Sequence, residues 1–292
     1  MSAFCLTVLL SSQALAQLTG TLTSGTATFT QSQTPTSING TTFRATFMPD
    51  GQVNNLYDQW MFYRINGSGN GLITVDTRER TFGNYTTGGI STGLTGTFSG
   101  SAATYNLTDS RNLSAAWNIN LNQSNATTAT LSHSVTFTNT NTTSLNVTLI
   151  QYIDLDLNSV PSGSNASGGL SGMLVSDSSG HYSNFTPGTT PNAYQVTAYS
   201  TLRTALVNNS ITNLNNTGLP FTNGDYTGAY QWDFTIGANS SLTINSSLIS
   251  AVPEPGSIVL ISAGLAGAAG VWKKRRNRRN NQQTVCVKAS CI

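Results

Sequence analysis

The chain has 292 residues, of which only 8% are charged, against about 25% in an ordinary soluble protein. Between Gln17 and Val252 lie ten acidic and six basic residues, and the other seven basic residues all follow Val271. The long middle part therefore has no basic face, which excludes nucleic acid as its partner; its regularly spaced apolar and aromatic residues exclude the highly charged disordered class.

Residues 3–10 form a short apolar run, followed by Ser11, Ser12 and Gln13, with small residues at Ala14 and Ala16. This pattern predicts a signal peptide over 1–16, cut before Gln17, although no Lys or Arg precedes the apolar run. Cys5 lies inside it, and Cys286 and Cys291 lie in the last residues of the chain. The exported part has no cysteine, so its fold must rest on a hydrophobic core without disulfides.

From residue 19 to 250 the pattern predicts strands. Candidates occupy 26–30, 41–47, 59–65, 72–77, 103–108, 113–121, 131–137, 145–157, 170–175, 193–199, 230–236 and 241–249, mostly separated by Gly, Asn and Ser. The clearest is 145–157, where Leu145, Val147, Leu149, Gln151, Ile153, Leu155 and Leu157 alternate with Asn146, Thr148, Ile150, Tyr152, Asp154 and Asp156. Alternation of period two predicts that the first set faces the core and the second faces solvent. Residues 138–144 read as a hairpin loop between two strands. Two internal echoes, one between the segments starting at Gly20 and Gly96 and one between those at Ala193 and Ala229, have different spacings and do not define a repeat. Many short strands with polar turns predict an all-β fold, an antiparallel β-sandwich.

Few residues in this part carry recognisable chemistry. Asp154, Asp156 and Asn158 combine two carboxylates on one strand face with an amide oxygen, a donor set suited to calcium. The EF-hand pattern is absent, since Ser159 and Asn165 stand where Gly and Glu would be needed. The same two carboxylates are also the minimum for a glycosidase pair, and a bare polar strand edge explains them equally well. Gly89, Ser91 and Gly93 spell G-x-S-x-G in a Gly/Ser/Thr-rich stretch where chance suffices, because that motif has meaning only between a strand and a helix. His133 falls on an apolar strand face and is expected in the core, whereas His181 lies in a Ser/Gly-rich loop and is expected to be solvated. Trp60, Trp117 and Trp232, with the ten tyrosines, are candidates for stacking on sugar rings, although most such residues pack in cores or on strand surfaces, and the register of Trp117 with Ile119 and Leu121 predicts its burial. Fifteen Asn-x-Ser/Thr triplets read as polar β surface.

The far end is more specific. Val252, Pro253, Glu254, Pro255 and Gly256 precede an uncharged apolar run over 257–272, followed by Lys273, Lys274, Arg275, Arg276, Arg278 and Arg279. The run has 16 residues, slightly short of the roughly 17–25 of a spanning helix, and Trp272 with the basic stems can reach the interface. A single transmembrane helix with its basic end in the cytoplasm is predicted. Pro-Glu-Pro, apolar helix and basic cluster together resemble the tail of PEP-CTERM proteins. The resemblance implies recognition by a membrane-embedded exosortase, cleavage near Pro253–Glu254–Pro255, transient anchoring in the inner membrane, and delivery to the cell surface or extracellular matrix. Tails of that family normally stop soon after the basic cluster, whereas here residues 280–292 continue.

These readings predict a signal peptide over 1–16, an exported β-sandwich over 17–250, a sorting signal over 251–279 and an atypical extension over 280–292. The leading expectation for function is a non-enzymatic structural or adhesive surface protein. A carbohydrate-binding module for matrix polysaccharide comes second, and an extracellular hydrolase third. The expected partners are the membrane, exosortase and extracellular polysaccharide. No cofactor is expected unless calcium binds at Asp154, Asp156 and Asn158.

Overall fold

The computed structural model describes residues 19–33, 43–82, 85–87, 90–208 and 210–254. The expected signal peptide with Ala14, Ala16 and Gln17, and the segment from Pro255 through Gly256, the apolar run and the basic cluster to residue 292, lie outside the described residues. Among those described, no helix is long and apolar enough to cross a membrane.

The chain forms strands β1 (Gly20–Ser24), β2 (Ala27–Gln33), β3 (Phe43–Met48), β4 (Asp58–Ser68), β5 (Arg80–Thr81), β6 (Tyr85–Thr87), β7 (Ile90–Ser99), β8 (Ala102–Asp109) and β9 (Leu113–Asn125). It continues with β10 (Thr128–Asn139), β11 (Leu145–Leu155), β12 (Ser164–Gly169), β13 (Gly172–Ser176), β14 (Tyr182–Pro187) and β15 (Ala193–Ala198). Helix α1 (Thr201–Val207) precedes β16 (Phe221–Gly224), β17 (Tyr226–Ile236) and β18 (Ser240–Ala251). These strands make a ten-stranded sheet of order β16-β12-β13-β14-β18-β10-β9-β8-β7-β6, a five-stranded sheet of order β15-β17-β11-β4-β5, and a three-stranded sheet β1-β2-β3. All strand pairs are antiparallel.

The two larger sheets pack face to face through aromatic residues. Trp60 of β4 meets Trp117 of β9 edge-on at 5.7 Å, and Tyr105 of β8 stacks on Trp117 at 5.2 Å. Phe185 of β14 meets Tyr230 of β17 at 4.7 Å. The expected alternation holds along β8, β9 and β10. The sequence echoes acquire a structural meaning. Ser24–Gly25 and Ser99–Gly100 start two hairpins of the same register, Ser24 opposite Ala27 and Ser99 opposite Ala102. Gly25 and Gly100 sit at φ 58° and 55°, a left-handed conformation natural to glycine. The echo at Ala193 and Ala229 is a pair of adjacent strands, with Tyr194 opposite Tyr230.

Four expectations are corrected. Residues 138–144 do not close a hairpin: β10 pairs with β9 and β18, while β11 pairs with β4 and β17, so the segment is a corner between sheets. The buried Asn139 amide braces that corner on the carbonyls of Thr143 and Gly237 (2.8 and 2.9 Å). Residues 72–77 form no strand, and Leu72 and Val75 project into solvent; Asp76 instead anchors the segment by accepting the Ile65 amide (2.8 Å) and pairing with Arg80 and Arg111. Leu170 belongs to the turn between β12 and β13, not to a strand. The set with Thr148, Ile150, Tyr152 and Asp154 does not face water, because all four are buried.

The cause of that burial is chain from elsewhere. Leu202 and Leu206 of α1 are buried, and Arg203 lies 3.7 Å from Asp58. The Arg64 guanidinium donates to the Thr212 carbonyl (2.8 Å), to Asn213 Oδ1 (2.6 Å) and to Glu79 Oε1 (2.5 Å). Leu214 N donates to Gln231 Oε1 (2.9 Å). Helix α1 and the chain after it thus cover the second face of the five-stranded sheet.

Candidate functional site

Antiparallel pairing brings the end of β11 beside the starts of β4 and β17, with Asp154 opposite both Asp58 and Thr227. One end of the five-stranded sheet therefore gathers Asp58, Asp154, Asp156 just past β11, and Asp225 just before β17. That is four of the ten acidic residues of the exported part. Backbone bonds set two tyrosines at the rim: Tyr57 N donates to the Asp154 carbonyl (2.9 Å) and Tyr199 N to the Asp225 carbonyl (3.0 Å). Their rings meet edge-on at 6.3 Å, and the Arg44 guanidinium lies 5.4 Å over the Tyr57 ring. Tyr57, Asp154, Asp156, Pro161, Tyr199 and Asp225 line a cleft of about 250 Å³.

The electrostatics of this end follow from burial. Asp154 is 1% exposed; among the described residues its Oδ1 accepts no hydrogen bond, and its Oδ2 takes a long one from the Tyr152 hydroxyl (3.4 Å). Burial, reinforced by the charges of Asp156, Asp58 and Asp225, pushes its carboxyl up to about 8. Burial likewise pushes Asp58 up to about 8 against the lowering effect of Arg203. Asp156 rises to about 6 through burial and the charge of Asp225, and Asp225 rises through burial. Removing a carboxylate from water disfavours its charged form, and neighbouring like charges add to that.

One carboxylate oxygen from each of Asp154, Asp156 and Asp225 lies within 4.8 Å of the other two. The structure thus brings together two of the three calcium-ligand candidates and leaves the third aside. Asn158 is exposed, sits at φ 58°, and is held through its backbone amide by Asn55 Oδ1 (2.9 Å). Asp154 is not the outward-facing residue that strand alternation implied. Asp225, Tyr57 and Tyr199 were not legible as partners, because nothing periodic links them to Asp154. The one available signal was scarcity: with so few acids in the exported part, Tyr57-Asp58 and Asp225-Tyr226 at strand starts stand out.

The remaining candidates resolve differently. Trp60, Trp117 and Trp232 are all buried, so none of these three is placed to stack on a sugar. His133 is buried as expected; Trp117 Nε1 donates to its Nδ1 (3.3 Å), and burial drives its pKa down to about 3, leaving a neutral imidazole. His181 is buried rather than solvated, because Asp177 Oδ2 pairs with its Nδ1 (2.9 Å) and Asp177 Oδ1 accepts its backbone N–H (2.9 Å). Ser91 lies within β7, paired with Thr86, and not at a strand-to-helix turn. At the same end of the domain, Asn55 Nδ2 donates to Ser250 Oγ (2.7 Å) near the finish of β18 at Ala251, Val252 N donates to the Thr127 carbonyl (3.0 Å), and Glu254 is exposed.

Residues 251–276 match the PEP-CTERM protein-sorting motif. No curated relative matches the chain in sequence. Among solved structures, the chain is similar to a bacterial glucoamylase complexed with acarbose (TM-score 0.48, 9% identity, 82% of this chain and 32% of that one). It is also similar to a candidate aldose 1-epimerase from Escherichia coli K12 (TM-score 0.46, 10% identity, 80% and 99%) and to a candidate kojibiose phosphorylase from the human microbiome (TM-score 0.34, 12% identity, 86% and 29%). The chain spans about a third of the length of the glucoamylase and of the phosphorylase.

Proposed function

We propose that this chain, an exported protein carrying a PEP-CTERM sorting motif, is a non-enzymatic adhesive component of the cell surface or matrix that holds polysaccharide in the Tyr57–Tyr199 cleft. The tail of residues 257–279 anchors it transiently in the inner membrane until exosortase cuts near Pro253–Glu254–Pro255. Proline disfavours a regular helix and removes a backbone donor, which suits a Pro-Glu-Pro peptide to entry into an enzyme. Mass spectrometry of surface material tests the sorting step: peptides from residues 280–292 in the released protein would rule it out.

The observation that carries the adhesive reading is the pairing of two rim tyrosines with three carboxylates around one cleft. The C–H face of a sugar ring packs on an aromatic ring, and its hydroxyls donate to carboxylate oxygens. Retention of the chain on matrix polysaccharide should fall about tenfold in Tyr199→Ala, a loss of about 1.4 kcal/mol. Equal retention of wild type and variant contradicts the reading.

A second reading, glycoside hydrolysis, is favoured by one observation: Asp154 at about 8 and Asp156 at about 6 are carboxyls of unequal acidity in one cleft, the division of labour that acid–base hydrolysis uses. Release of reducing ends from the retained polysaccharide, lost in Asp154→Asn, would favour it over adhesion.

A further inference from the structure

We propose that Asp154, Asp156 and Asp225 hold one calcium ion in the cleft, and that hydroxyls of a saccharide lying on Tyr57 and Tyr199 complete its coordination. The first half stands on the geometry of the carboxylates; the second rests on the carbohydrate reading above.

Calcium takes six to eight oxygens at about 2.3–2.6 Å, so two ligands on opposite sides of the ion lie about 4.6–5.2 Å apart. The three carboxylate oxygens lie within 4.8 Å of one another, close enough for all three to ligate one such ion. Magnesium demands near-ideal octahedral geometry and gives up its waters reluctantly, so it is the poorer match for a site that also takes saccharide hydroxyls. Among the described residues no Lys, Arg or His forms an ion pair with any of the three; Arg203, the nearby cation, pairs with Asp58.

A cluster of acids on a surface needs no ion, since water solvates each carboxylate. Asp154 differs, because it is 1% exposed and its Oδ1 has no hydrogen-bond partner among the described residues while the residue lines the cleft. A buried acceptor left unmade is costly, and a cation seated in the cleft satisfies it. The backbone that carries the ligands is held in advance. Asp154 sits in β11 between β4 and β17, the Asp225 carbonyl accepts Tyr199 N (3.0 Å), and the Asp156 carbonyl accepts Ser159 N (2.9 Å). Three carboxylates leave coordination positions open on the side of the tyrosines, and adjacent sugar hydroxyls supply the hard oxygens that calcium prefers.

The test uses the full chain stripped with EGTA and titrated with calcium chloride. Calorimetry should show one ion per chain. The melting temperature should rise by about 5–10 °C at a hundredfold excess over Kd. Asp225→Asn and Asp156→Asn should each weaken calcium binding at least tenfold while melting no lower than wild type in EGTA, which shows that they fold. Asn158→Ala should bind as wild type does. Absence of saturable binding at millimolar calcium, or unchanged affinity in both aspartate variants, overturns the site; an equal shift from magnesium overturns the choice of ion. Retention on matrix polysaccharide should require calcium and vanish in EGTA. Retention indifferent to EGTA overturns the bridging role, and calcium binding with no retention at all removes the carbohydrate reading while supporting the ion site.

Discussion

Strands β8, β9 and β10 of the ten-stranded sheet alternate buried and more exposed residues, whereas in the five-stranded sheet residues 58–65, 147–155 and 226–232 are buried without a break. The ten-stranded sheet keeps one wet face, dressed in Thr, Ser and Asn, such as the Thr136–Thr243 and Thr138–Ser241 hydroxyl pairs. The five-stranded sheet has none along these strands, because α1 and the chain that follows it lie over its second face. Antiparallel sheets commonly leave one face in water; the covered sheet departs from that habit and takes charge inside with it. Asp58, Arg64, Asp76, Glu79, Arg80, Asp109, Arg111 and Asp154 are buried, which is half of the sixteen charged residues between Gln17 and Val252. Charged side chains are almost never fully buried unless paired. Here the wet sheet stays soluble through hydroxyls and amides, and the scarce charges tie loops over the other sheet. Arg111, in the turn between β8 and β9 of the ten-stranded sheet, reaches across to such a loop: it pairs with Asp109 at the end of β8 (2.6 Å) and with Asp76 in the segment between β4 and β5 (3.0 Å). Burial pushes the Asp109 carboxyl up, but the bonds from Arg111 outweigh it and hold the group below its usual range.

This contrast breaks most readily at Arg64. Arg64→Met leaves Glu79 buried without its guanidinium and cuts the links to Thr212 and Asn213. A loss of about 3–5 kcal/mol in denaturant unfolding is expected. A loss below about 1 kcal/mol would mean that the covering chain does not depend on this charge.

A smaller effect is expected from pH. Asp58 and Asp154 have folded values of about 8 against an ordinary 3.8, so between those limits the folded state binds more protons than the unfolded. Their contribution is complete below about pH 4 and is lost as pH rises through about 8. The metal-free chain should therefore lose at least about 1–2 kcal/mol between pH 5 and pH 9. His133 acts at the other end: its folded value of about 3 lies below the ordinary 6.5, so its contribution is present above 6.5 and fades as pH falls toward 3. Melting curves that stay flat from pH 5 to 9 would show that the two aspartates are not held neutral by burial.

The smallest effect is expected on the wet face. Thr136→Ala removes one exposed cross-strand hydroxyl contact with Thr243 and should cost about 0.2–1 kcal/mol. A cost approaching that of Arg64→Met would place the stabilising interactions on the wrong sheet.

The same contrast marks what could be read from the residues. Strands β9, β10 and β18 were legible because one-sided burial writes itself as alternation. Strand β11 was located, but its even set was assigned to water; Ile150 and Tyr152 in that set were the warning. Strands β7 and β12 escaped, since Gly and Thr dominate the first and no large apolar residue occurs in the second. Helix α1 has seven residues, too few for a helical period to be recognised.

The sequence by itself determined the sorting address and the class of the fold. A sorting motif is a linear signal read from neighbouring residues, and period two is a local property of a strand, so neither depends on where the rest of the chain goes. Only the tertiary structure decided that Asp154 is buried, that Asp225 joins it and Asn158 does not, and that Tyr57 and Tyr199 flank the same cleft. Alternation states which side chains share a face; whether that face meets water depends on segments distant in sequence, and those contacts leave no local pattern to read.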